Sequence, residues 1–109
     1  GFNSRFGDEK GTNPEELIAA AHAGCFTMAL SAKLTEAGFP PTSLDTRAQV
    51  DLSMENGPAF SQIKLKVKGV VPGIDATQFQ AFAADAEKNC PVSKALSAVP
   101  ISMEAELVS

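Results

Sequence analysis

Two cysteines, Cys25 and Cys90, carry the richest chemistry in this sequence. A cysteine thiolate that attacks a peroxide becomes a sulfenic acid, and a second thiol can condense with it to a disulfide before irreversible over-oxidation. Such a pair needs one thiol that ionises and another within reach. A separation of sixty-five positions permits this without establishing it. Two cysteines could equally form a structural bridge or remain two inert buried thiols. Cys90 precedes Pro91, a residue suited to the first position of a helical turn, so it would stand at a helix N-terminus, where free N–H groups favour a thiolate. Cys25 lies in His22-Ala-Gly-Cys25-Phe26, within an apolar stretch. His22 and Cys25 at i and i+3, with Cys90, could begin a metal site. No fourth ligand is evident and His22 is the only histidine, so no metal is expected. His22 reads instead as a flank residue or one satisfied at an interface.

An activated cysteine also needs a group that stabilises its charge. Arg5 lies in the polar N-terminal segment, and Glu15 opens the helix that carries Cys25, where an acid complements the dipole. Ten residues of helix separate Glu15 from Cys25 by ~15 Å. A Glu15–Arg5–Cys25 network would therefore need a bend or residues from two copies of the chain.

The elements that must position these groups follow from pattern. Residues 1–13 read as a loop. Thr12 or Asn13 can cap a helix over 14–37, with Pro14 at its first position, Glu15 and Glu16 in its first turn and Gly38 beyond its end. No charge occurs from Leu17 to Leu30, and Ala and Gly are frequent there. A helix apolar all round predicts burial on every side and a second helix packed closely against it. Residues 43–54 and 59–71 alternate as strands around the turn Glu55-Asn-Gly-Pro58. Lys64, Lys66 and Lys68 fall opposite Ile63, Leu65 and Val67, giving one wet face. Asp75 can cap a second helix to about Lys88, Cys90-Pro91 breaks it, Val92 to Leu96 adds a turn, and 99–108 forms a last strand. The fold class is α+β: a single domain over residues 1–109 with an antiparallel sheet and a long buried central helix. One small sheet cannot cover such a helix, so a homodimer is expected.

The 109 residues suffice for one core. A net charge of −4, scattered cations and the absence of Trp and Tyr argue against nucleic acid as a partner. No unbroken apolar run approaches the ~18 residues of a membrane span, and no signal peptide is visible. The expectation is a soluble, cytoplasmic protein with no membrane partner.

Three segments in order, Gly11-Thr-Asn-Pro-Glu-Glu-Leu17, Ala20-Ala-His-Ala-Gly-Cys25-Phe26 and Asn89-Cys90-Pro-Val-Ser93, resemble the OsmC/Ohr family of hydroperoxide reductases, as does Val71-Pro-Gly-Ile-Asp75. The Ala-Ala-His form and the opening Gly-Phe-Asn-Ser-Arg-Phe look more like the OsmC branch. The resemblance implies an intertwined homodimer with its active site at the interface. It gives Cys25 the peroxidatic role and Cys90 the resolving role. Glu15 matches the family's catalytic glutamate and Arg5 the arginine that holds the thiolate. It implies organic hydroperoxide substrates, no cofactor and no metal, and re-reduction by small dithiols or dithiol proteins. The family has further N-terminal strands that this chain lacks. Apart from the resemblance, the residues also fit a non-catalytic dimeric binding module with merely buried cysteines. The expected contrast within the pair is a shielded attacker, Cys25, and a mobile resolver, Cys90.

Overall fold

The computed structural model describes residues 13–109. Arg5, Thr12 and the expected loop up to residue 12 lie outside them. The first helix, α1, spans Pro14–Glu36. Asn13 caps it, its side chain accepting the Glu16 backbone N–H at 3.0 Å, and Pro14 occupies the first turn, where a missing N–H costs nothing. At the other end Gly38 takes φ 92°, open to a residue without Cβ, and a Schellman motif closes the helix. In it the Phe39 N–H donates to the Leu34 carbonyl at 2.8 Å and the Gly38 N–H to that of Thr35 at 3.1 Å.

Strands β1 (Ser43–Ser53) and β2 (Ala59–Val70) form the expected antiparallel hairpin. Helix α2 (Ala76–Asn89) follows, opened by a reciprocal capping box between Asp75 and Gln78. A short helix, α3 (Pro91–Ala95), and a last strand, β3 (Ile101–Leu107), complete the described fold. The sheet order is β1-β2-β3. The expectation of an antiparallel sheet is corrected here, because β3 pairs with β2 in parallel, Leu65 opposite Met103 and Val67 opposite Ala105. The physical reason is the connection: two helices lie between β2 and β3, and a helical crossover returns the chain to the starting end of the sheet.

β2, the central strand, buries Ile63, Leu65 and Val67 on one face and exposes the three lysines on the other. Each lysine stands in a cross-strand row, Asp45–Lys68–Glu106, Arg47–Lys66–Glu104 and Gln49–Lys64–Ser102. Acids on the flanking strands thus offset most of this positive charge, as a solvated face requires. On the buried face, Leu65 and Val67 meet Phe26, Leu30 and Leu34 of α1 and Phe79, Ala83 and Ala86 of α2. The Thr27 hydroxyl donates to the Ala23 carbonyl and lies 2.5 Å from that of Thr46, tying α1 to β1.

Within one chain α1 is not buried on every side. Its fully buried residues are His22, Phe26, Leu30 and Leu34, a single stripe at a spacing of four. Leu17 and Met28 are 59% and 75% exposed, and a Cβ on Gly24 would meet nothing. The reason is geometric: among the described residues, three strands and two short helices reach only one side of a helix of 23 residues. By length and composition α1 is apolar enough to cross a membrane, contrary to the count of unbroken runs. Here its buried stripe forms part of the core instead.

Candidate thiol site

The site is built where α1 passes the corner between α2 and α3. α2 ends at Asn89, and Cys90 takes an extended conformation (φ −66°, ψ 122°) that suits a residue before proline. Pro91 then restarts the helix in a new direction. Cys90 is fully buried at this corner, packed in the main core cluster. Cys25 lies one position before the buried stripe residue Phe26, about 100° around the helix, and is therefore only half-buried.

The structure brings the two cysteines together. Both thiols are free, and Cys90 stands close enough to Cys25 to act on its ionisation. The backbone N–H of Val92 also donates to the Cys25 sulfur, and by itself favours the thiolate. Burial and the neighbouring Cys90 sulfur outweigh that donor and hold the Cys25 thiol above its ordinary value. Two expectations change here. The N-terminal N–H groups of α3 serve Cys25 rather than Cys90, which makes no capping bond. The buried member is Cys90 and the more accessible one Cys25, the reverse of the expected shielding.

Beside the thiols, His22 Nε2 and Ser93 Oγ lie 2.6 Å apart in a buried hydrogen bond. His22 is fully buried, and its Nδ1 has no hydrogen-bond partner among the described residues. An orphaned lone pair is less costly than an orphaned N–H, which places the proton on Nε2, donating to Ser93. Burial also lowers the His22 pKa, because a second ring proton would have no acceptor there. The sequence reading left His22 on a flank or at an interface and gave Ser93 no role. A usable signal existed: His22 precedes Cys25 by three residues and Ser93 follows Cys90 by three.

Glu15 sits in the first turn of the unbroken α1, half-buried, ~15 Å along the axis from Cys25 in the same chain. The structure does not bring these two together, and Arg5 lies outside the described residues. Among the described residues no cluster of His, Cys, Asp and Glu could hold a metal ion. Along the apolar stretch that carries Cys25, Phe26 and Leu30 are buried in the core and Met28 is exposed.

The family model described as "OsmC-like protein" matches residues 7–104. Peroxiredoxin OsmC of Escherichia coli (strain K12) is 54% identical over 110 residues, covering all of this chain and 76% of that protein. The organic hydroperoxide resistance protein OhrA of Bacillus subtilis (strain 168) is 36% identical over 93 residues, covering 82% of this chain and 62% of its own. Among solved structures, that of the organic hydroperoxide resistance protein OhrB of Bacillus subtilis aligns with a TM-score of 0.74 at 29% identity, over 91% of this chain and 72% of that one. The OsmC-like protein from Mycoplasma pneumoniae aligns with a TM-score of 0.82 at 20% identity, over 93% and 75%, a likeness of fold.

Proposed function

This chain belongs to the OsmC-like protein family, and we propose that it is a thiol-dependent peroxidase that reduces organic hydroperoxides to alcohols. The observation that carries this reading is the contact between Cys25 and Cys90, with the Val92 N–H on the Cys25 sulfur. Two buried structural thiols need neither to lie side by side nor to have a backbone donor aimed at one of them. The names of the relatives, a peroxiredoxin and organic hydroperoxide resistance proteins, agree with it.

In the proposed reaction the Cys25 thiolate attacks one peroxide oxygen, forming an S–O bond as the O–O bond breaks. The alkoxide leaves and is protonated to the alcohol. The Cys90 sulfur then displaces hydroxide from the Cys25 sulfenic acid, which departs as water with the Cys90 proton, leaving a disulfide. A dithiol or dithiol protein returns both cysteines to thiols by exchange. Because its surroundings hold the Cys25 thiol up, ionisation calls for a cation, and Arg5 is the proposed one, oriented by Glu15. The axial distance within α1 supports a Glu15 contributed by a second copy of the chain, and the open side of α1, with Leu17 and Met28, is the face such a copy would cover. The protein is accordingly read as one domain acting as a soluble, cytoplasmic homodimer in defence against oxidative stress.

The test is mass spectrometry after one equivalent of cumene hydroperoxide. The expected product is an intrachain Cys25–Cys90 disulfide with one equivalent of alcohol, and none in a Cys25→Ser variant. Retained peroxide consumption by Cys25→Ser would refute the mechanism. Comparable turnover of hydrogen peroxide would remove the preference for organic substrates.

A further inference from the structure

Helix α3 is the smallest element among the described residues, yet it carries the Val92 N–H and follows directly on Cys90. Its own turn is closed by the Lys94 N–H on the Cys90 carbonyl at 3.0 Å and the Leu96 N–H on that of Val92 at 2.9 Å, but its backbone link back to α2 is weak. The α2 ladder ends at Asn89, the Cys90 N–H reaches the Glu87 carbonyl only at 3.4 Å, and the extended Cys90 acts as a joint before Pro91. Two side-chain pairs meet between α1 and this segment, and they run antiparallel: Cys25 beside Cys90, and His22 hydrogen-bonded to Ser93. Three residues of helix separate the two rungs by ~4.5 Å on each side.

The first rung is the one that reacts. Closing a disulfide draws the sulfurs together to ~2.05 Å with restricted torsions, so small rotations of α3 decide whether it closes. The second rung is poorly explained as a source of stability. It leaves Nδ1 of a fully buried imidazole without a partner among the described residues, where an apolar side chain would leave no orphan. A hydrogen bond is directional where apolar packing is not, and this one fixes the rotation of α3 about the joint at Cys90.

We propose that His22 and Ser93 form a positioning pair whose hydrogen bond holds the Cys90-bearing corner in register with Cys25, so that the Cys25 sulfenic acid is resolved before it oxidises further. This rests on the peroxidase reading above. A sulfenic acid has two fates at this site, condensation with Cys90 or attack of its sulfur on a second peroxide to give sulfinic acid and a second alcohol. The pair biases the first without touching peroxide.

The readout is the ratio of disulfide to Cys25 sulfinic acid in the full chain, by quenched mass spectrometry across a series of cumene hydroperoxide concentrations. Ser93→Ala is expected to lower that ratio about tenfold, the effect of one lost hydrogen bond. Should the orphaned His22 unfold this variant, His22→Leu with Ser93→Ala removes both polar partners and leaves an apolar seam of similar size. The double variant is expected to melt near the parent while still showing the lowered ratio. A parent-like ratio in either folded variant overturns the inference. A parent protein that forms no disulfide at all refutes the peroxidase reading instead, so the two failures are distinguishable.

Discussion

The backbone N–H of Val92 donates to the sulfur of Cys25, although Val92 sits two residues beyond the other cysteine. The helix start created by Cys90-Pro91 therefore supplies its donor to the opposite member of the pair. Cys90 itself acts on Cys25 in the other sense, raising its pKa. Replacing Cys90 by Ala removes that effect and leaves the Val92 donor in place. Cys25 is then expected to ionise at lower pH and to alkylate faster at neutral pH than in the parent. Iodoacetamide kinetics followed from pH 5 to pH 10 check this; a midpoint unmoved or raised would contradict the assignment.

The same balance gives Arg5 a measurable task. With a thiol held above its ordinary value, a cation is needed to populate the thiolate at neutral pH. Arg5→Ala is expected to slow both alkylation and peroxide reduction at Cys25 by about tenfold or more, the factor that one pKa unit carries. Arg5→Lys keeps a charge but loses the planar fork, and is expected to recover only part of the loss. Equal rates in all three proteins would dissociate Arg5 from the thiol.

Much of this arrangement was legible in the sequence. Alternation placed Lys64, Lys66 and Lys68 on one face, Asp75 marked the start of α2, and Pro91 marked the break that makes Cys90 a corner. Two features were not legible, each for a physical reason. The parallel pairing of β3 depends on where the α2–α3 crossover delivers the chain, which no local pattern encodes. The relative exposure of Cys25 and Cys90 depends on which side of α1 meets the sheet. Leu17 to Leu30 is so uniformly apolar that its period gave no phase, and a single position separates half-buried Cys25 from fully buried Phe26.

His22 makes folding sensitive to acid. Its folded pKa lies below the unfolded value of about 6.5, so below that pH the unfolded chain binds more protons than the folded one. Its neutral form supports the fold fully above about pH 6.5, and that support is lost as pH falls through the folded pKa. Urea midpoints are accordingly expected to fall between pH 7 and pH 5. His22→Leu, which cannot titrate, is expected to flatten that part of the slope. A His22→Leu profile parallel to the parent's would place the acid sensitivity in the carboxylates.

β2 and α2 pack closely where Gly69 faces the ring of Phe79. A Cβ at Gly69 would stand 2.6 Å from Phe79 Cζ, 2.8 Å from Cε1 and 3.2 Å from Leu44 Cδ2. Phe79 is 1% exposed and packed among the core residues of α1 and β2, so its ring has little room to withdraw. Gly69→Ala is therefore expected to destabilise by ~1–3 kcal/mol, the usual cost of overpacking. Gly69→Ala with Phe79→Leu, which shortens the opposing side chain, is expected to recover part of that loss relative to the sum of the single variants. Urea unfolding of the four proteins gives the coupling directly, and strict additivity would show that the Gly69–Phe79 contact does not set the spacing of α2 on the sheet.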